Sequence, residues 1–365
     1  MNITALLWPA ALTALIATSG SAGLARAQDP VEALQAPEQD CTMSSARSRA
    51  SRLTPMLQKG FGVQYWGSTY DADTLSRQPH GLLILEVTKI GAPYSETGHE
   101  VFFTPEEIVR INRNGTRPAL GYLNVSEIED YRDYWIDHAA AVGDVASAEL
   151  PDWYGPSAGQ GGHLAAYWTQ GWHDIILARV DRLMQTGIDG LFLDDVLHYY
   201  NLALDNTLRW PGDTRPKGPA DAPAHAREMM HLVDLIAARA REWKCDAFIV
   251  VNNGVFIGRD AAGTTPEPGG QAPFARYLDA IDAVMVENLS APSTHAHTIE
   301  ALQEDFRGHG VAVLALDIAT QFPDKKPDEL RQQVARSAVQ SGFYPYVAFD
   351  AAFNQVAPAM PLPAR

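Results

Sequence analysis

Two cysteines among 365 residues exclude a disulfide-braced miniprotein and any Cys-rich zinc or iron–sulfur module. Cations are scarce: 28 Lys and Arg stand against 44 Asp and Glu, a formal charge of −16. Such a chain lacks the positive charge that displaces phosphate counterions, which excludes nucleic acid as a partner. No HExxH, Walker loop or CxxC is present. Long apolar runs are missing too, apart from Ala5–Ala17. That run is shorter than the roughly 20 residues of a spanning helix, and small residues ending in Ala25-Arg26-Ala27 follow it. Residues 1–27 therefore read as a secretory signal peptide. Its removal takes Arg26 away, shifts the charge to −17 and leaves no membrane span. The mature chain is expected to be secreted or periplasmic, where Cys41 and Cys245 either pair or remain separate thiols.

What the sequence does have, at 46% hydrophobic residues, is material for a core. Residues 28–58 read as a polar N-terminal linker or extension with one short helix. From residue 61 short apolar runs recur: Phe61–Trp66, Leu82–Val87, Pro118–Val125, Leu191–Asp195, Phe248–Asn252, Ala283–Leu289, Val311–Ile318 and Tyr344–Phe349. Near-continuous apolarity marks parallel strands buried on both faces. Helical patterns lie between them. Thr104-Pro105-Glu106-Glu107 is a capping box, and Ser126-Glu127-Ile128-Glu129 reads as a second. Apolar stripes follow at Ile175–Met184, Met229–Ala240 and Leu330–Val339.

Eight strand–helix units predict an α/β fold, a (β/α)₈ TIM barrel over residues 59–365, as a single domain with long βα loops. The long Gly/Pro-rich segments 143–169, 201–224 and 258–273 all follow strands, on the face where barrels build their sites. A doubly wound open sheet would want a Gly-rich phosphate loop after its first strand, and Gly60-Phe61-Gly62 precedes it instead.

Polar residues at the ends of buried strands are the informative ones, because burying them is costly. They are Glu86, Asn124, Asp194, Asp195, Asn252, Asn253, Glu287, Asn288 and Asp317, a set of carboxylates and amides suited to glycoside hydrolysis. Asp194 and Asp195 should point to opposite sides, one reactive and the other a support or cap. Tyr65, Trp66 and Tyr122 offer aromatic faces at strand ends, and Trp153, Trp168 and Trp210 offer them in the long loops, for stacking on sugars or anchoring loops. His295-Ala296-His297 sits at a helix start without a third ligand nearby, a poor metal site.

Gly187-Ile188-Asp189-Gly190-Leu191-Phe192-Leu193-Asp194-Asp195-Val196 and Gly121-Tyr122-Leu123-Asn124-Val125-Ser126-Glu127-Ile128-Glu129-Asp130-Tyr131-Arg132 together resemble glycoside hydrolase family 114, the endo-α-1,4-polygalactosaminidases. Trp172, Val251-Asn252-Asn253-Gly254, Val286-Glu287 and Leu314-Ala315-Leu316-Asp317 match in the same order, over about residues 61 to 350. The resemblance implies a hydrolase of α-1,4-linked galactosamine-rich exopolysaccharide, with Asp194 and Glu287 as the catalytic pair. From their places at strand ends, Tyr65, Trp66, Glu86, Tyr122, Asn124, Asp195, Asn252, Asn253 and Asp317 are expected around the substrate, with Glu86 and Asp317 either binding hydroxyls or an ammonium or making local caps and pairs. The resemblance implies no metal and no cofactor. Glu86 stands where the family usually has Asp, and Ser126 where it has Gly. The expected partner is a polysaccharide, cationic where its amino sugars are deacetylated, and the expected state is a monomer. The alternative is a non-catalytic polysaccharide-binding TIM barrel, which would bind polymer without releasing reducing ends.

Overall fold

The computed structural model describes residues 45–89, 100–129, 131–132, 134, 150–159, 162–213, 215–262, 272–291 and 296–362. The leader, Cys41, Trp135 and His295 lie outside them. Eight parallel strands form a nearly closed barrel in sequence order: β1 (Phe61–Gln64), β2 (Leu82–Leu85), β3 (Ala119–Asn124), β4 (Gly190–Asp194), β5 (Phe248–Asn252), β6 (Ala283–Glu287), β7 (Ala312–Ile318) and β8 (Tyr344–Ala348). All eight predicted strands are present, and helices surround them. Where β8 and β1 leave the ring open, the C-terminal segment bridges the seam. Tyr65 N–H donates to Phe353 O (2.8 Å), Gln64 Nε2 to Asn354 O (3.0 Å) and Ala357 N–H to the Tyr346 hydroxyl (2.8 Å).

Strand side chains alternate between two cores, as the period of two requires. Leu83, Leu85, Leu123, Leu191, Leu193, Ile249, Val251 and Val284 pack outward against the helices. Phe61, Val63, Leu82, Ile84, Leu120, Tyr122, Phe192, Val250 and Met285 fill the barrel interior. Counting on by two from the interior set reaches Tyr65, Glu86, Asn124, Asp194, Asn252 and Glu287, six of the predicted site residues. Asp317 lies one residue from interior Leu316 and Ile318, so it falls on the outward register.

The one short helix expected in residues 28–58 is Ala46–Leu57. Its Leu53 and Leu57 are buried with the interior set, and Arg49 Nε pairs with Asp282 at 2.8 Å. Each buried leucine contributes roughly 1.5–3 kcal/mol, which holds this helix of the N-terminal extension against the barrel. The capping box on Pro105–Ile111 forms as predicted. The second does not. Asn124 Oδ1 accepts the Ser126 and Glu127 N–H groups (3.1 and 2.8 Å), and Glu127–Ile128 pairs antiparallel with His163 and Leu164. A small sheet of Glu127–Ile128, Gly162–Ala165 and Tyr154–Gly159 thus replaces the expected helix and extends into the loop after β3.

Gly190 opens β4 at φ 153°, and a Cβ there would collide with the Phe248 carbonyl of β5. Gly190→Ala is expected to cost roughly 2–4 kcal/mol, since strain and overpacking act at the same atom. Urea denaturation would measure it, and a shift below 1 kcal/mol would remove this reason for the glycine.

Candidate active site

The mouth of the barrel brings Asp194 and Glu287 together through one amide. Asn252 Nδ2 donates to Asp194 Oδ1 (2.8 Å) and to Glu287 Oε1 (2.7 Å), so those two oxygens are no more than 5.5 Å apart. Asp194 also accepts from the Asp195 N–H (2.8 Å) and from the Tyr122 hydroxyl. Glu287 Oε2 is buried without a hydrogen-bond partner among the described residues, as is Asn252 Oδ1.

These environments separate the two carboxyls. Burial, then the charge of Asp195, pushes Asp194 up to about 7, while three donors to its charged form oppose the rise. Burial and the charge of Asp194 push Glu287 well above the usual carboxylate range, and a single side-chain donor opposes it. A carboxyl with one donor keeps its proton to higher pH than a neighbour with three. Among the described residues no Lys or Arg pairs with either group. Tyr65 packs at a tilt against Tyr122 (centroids 4.8 Å) and Phe353 (5.3 Å), within the field of both carboxylates.

Three residues that follow site residues take left-handed backbone: Asp195 (φ 60°), Asn253 (φ 60°) and Asn288 (φ 53°). Asn and Asp tolerate that region better than bulkier residues. Each tie reaches the neighbouring strand. Asn124 Nδ2 donates to Asp195 Oδ2 (2.6 Å), Asn253 Oδ1 accepts the Glu287 N–H (3.4 Å) and Asn288 Oδ1 accepts the Ile318 N–H (3.1 Å). Asn253 therefore braces β6 through its backbone, whereas Asn252 faces the carboxylates.

The remaining predicted residues are committed to protein partners. Glu86 is fully buried, with Oε1 accepting from Thr88 N–H and Oγ1 (2.9 and 2.8 Å) and Oε2 paired with Arg132 (2.7 Å). Arg132 also pairs with Glu129 and Glu100. Asp317 accepts from Ser290 N–H and Oγ (2.9 and 3.0 Å), and burial lifts it to about 6. It ties β7 to the segment just after Glu287. Trp66 Nε1 donates to Ala352 O (2.7 Å) at the barrel seam. Trp153 packs on Trp172, and Trp168 on Trp210 and His225, as loop anchors.

Sequence reasoning missed Glu127, whose capping-box assignment hid it. Burial and the charge of Asp195 push its carboxyl up to about 10, and it hydrogen-bonds the Asp195 carboxylate. His198 Nε2 lies 3.5 Å from Asp195 Oδ1. Gly155-Pro156-Ser157-Ala158-Gly159 also fits the G-x-S-x-G pattern. Ser157 is exposed on an antiparallel strand, where its Oγ accepts the Gly159 N–H (3.2 Å), so it lacks the strand-to-helix elbow of that motif.

No protein-family model matches the chain. An uncharacterized protein of Thermotoga maritima is 28% identical over 186 residues, 50% of this chain and 50% of that protein, so the match spans half the relative's length. An uncharacterized Deinococcus radiodurans protein is 27% identical over 309 residues, 81% and 84% of the two chains. Among solved structures, the glycoside hydrolase domain of Pseudomonas aeruginosa PelA aligns at TM-score 0.49 with 16% identity, over 81% of this chain and 96% of that one. Aspergillus fumigatus Ega3, in complex with galactosamine, aligns at TM-score 0.52 with 12% identity, over 84% of this chain and 96% of that one. With Ega3 the chain shares its barrel fold.

Proposed function

We propose that the protein is an exported glycoside hydrolase that cleaves α-1,4-linked, galactosamine-rich exopolysaccharide by a two-carboxylate mechanism. The observation that carries the reading is the Asn252 amide joining Asp194 and Glu287 at the barrel mouth. A limit of 5.5 Å between the bridged oxygens fits retaining enzymes, whose carboxyls stand about 5–5.5 Å apart, better than inverting ones at about 6.5–9.5 Å. Asp194, with more donors, is the nucleophile. Glu287, which holds its proton, is the acid.

In the first step the Glu287 proton moves to the glycosidic oxygen as that bond to the anomeric carbon breaks, and an Asp194 oxygen bonds the anomeric carbon. In the second, Glu287 takes a proton from water, the water oxygen bonds the anomeric carbon, and the Asp194–sugar bond breaks. The likeness to Ega3, crystallised with galactosamine, is one of fold, and an acidic mouth suits an amine-bearing sugar.

The test is incubation with galactosamine-rich and neutral polysaccharides, with chromatography of released oligosaccharides and NMR of the first-formed anomer. Retained α-oligosaccharides from the amino-sugar polymer are expected. Binding without reducing ends would favour the non-catalytic reading. Raising salt from 0.05 to 0.5 M is expected to raise KM for the deacetylated polymer several-fold, because screening shortens the range of attraction to about 4 Å. A flat response would leave the net charge as a solubility feature only.

A further inference from the structure

Beside Asp194 and Glu287, a second set of side chains converges from three elements. Glu127 stands on the short strand after β3, Asp195 directly follows β4, and His198 opens the helix His198–Leu204. One oxygen or nitrogen from each lies within 4.8 Å of the other two. We propose that Glu127, Asp195 and His198 bind a divalent transition-metal cation, of the Mn²⁺ or Zn²⁺ class, next to the carboxylate pair and separate from it.

Four observations support this site. The first is charge. Glu127 and Asp195 hydrogen-bond each other, yet among the described residues no Lys or Arg pairs with either. Nearby Glu86, Glu100 and Glu129 all have arginine partners. The second is spacing. A cation held at about 2.1–2.4 Å sets adjacent ligand atoms roughly 3–3.5 Å apart, whereas an ammonium hydrogen-bonded at about 2.8 Å would spread them to roughly 4.5 Å. Asp195 Oδ1 and His198 Nε2 stand 3.5 Å apart.

The third is room. A Cβ at Gly162 would collide with Glu127 Oε1, so the missing side chain is what lets the carboxylate fit. The fourth is support. Asn124 donates to Asp195 Oδ2 and accepts the Glu127 N–H, fixing two of the three ligands from behind. Two carboxylates with an imidazole suit Mn²⁺ or Zn²⁺ better than Ca²⁺ or Mg²⁺, which favour all-oxygen shells.

The test is titration of the full chain, stripped with EDTA and dialysed, with MnCl₂ by electron paramagnetic resonance and with ZnCl₂ by calorimetry. One ion per chain is expected. His198→Ala and Glu127→Gln should each weaken binding by roughly 10–100-fold, and Glu287→Gln should leave it unchanged. Circular dichroism of the metal-free variants checks folding, and should Glu127→Gln fail to fold, His198→Ala carries the test. Absence of saturable binding, or equal affinity in wild type and His198→Ala, overturns the site. The readout is binding, so the result does not depend on whether the protein hydrolyses any polymer.

Discussion

Glu287→Gln and Asp194→Asn are each expected to lower kcat/KM on the polymer by roughly 10³-fold or more and, at neutral pH, to raise the melting temperature. The activity loss follows from removing the acid or the nucleophile. The stability gain follows from proton linkage. Both carboxyls are raised in the folded state by burial and by neighbouring acidic charge. In the unfolded chain they titrate near about 3.9 and 4.3. The folded state therefore holds protons that the unfolded state has released. Their favourable contribution is complete below about pH 4 and is lost as pH rises through the folded values. For Asp194 that window runs from about 4 up to about 7. An amide needs no proton, so the variants escape the loss. Melting curves should coincide near pH 4 and separate by a few degrees at pH 8. Near-wild-type turnover in either variant would remove the catalytic assignment. A lower melting temperature at pH 8 would show that packing, not ionisation, dominates the pair.

The barrel was legible because parallel strands buried on both faces are apolar throughout, and that pattern survives without knowledge of any partner. Strand parity also carried most of the site: once Phe192, Val250 and Met285 face the interior, Asp194, Asn252 and Glu287 must as well. At Glu86 a second partner intervenes. Glu86 lies on the interior register, yet Arg132 arrives from a loop and takes up its charge. No local pattern announces such a pairing across 46 residues. Asp317 could have been set apart by the same parity count, since it alternates with apolar interior residues. The Ser126–Glu129 box failed because Asn124, two residues earlier, supplies the acceptor that the box assigns to Ser126. A capping motif directly after a strand that ends in Asn competes with an Asx turn, and here the turn prevails.

The packing of the helix Ala46–Leu57 onto the barrel was obscured for a different reason. Its buried positions include Arg49 along with Leu53 and Leu57, so its inward face reads as half polar. The Asp282 carboxylate, just before β6, and the Asp279 carbonyl make burial of that arginine tolerable. The pairing spans most of the chain, and the sequence holds no sign of it.

Asn252→Ala is expected to lower kcat/KM by roughly 10²-fold and to move the acid limb of the pH profile upward. The Nδ2 group is the one donor shared by both carboxyls. Among the described residues, its loss takes from Glu287 its only side-chain donor and from Asp194 one of three, so the charged forms of both become harder to populate. Asp194 would then ionise at a higher pH, and turnover near neutrality would fall. An amide that only held a substrate hydroxyl would behave otherwise: KM would rise while the pH profile stayed in place. Asn252→Asp sharpens the comparison. It keeps the size of the side chain but adds a third carboxyl where two already lie within 5.5 Å. That variant should lose activity as severely as Asn252→Ala and also lose stability as pH rises, recovering both in part as acid protonates the trio. If Asn252→Asp instead matches wild type at pH 8 in activity and melting, the amide does not couple the carboxylates, and the mechanism proposed for them fails with it.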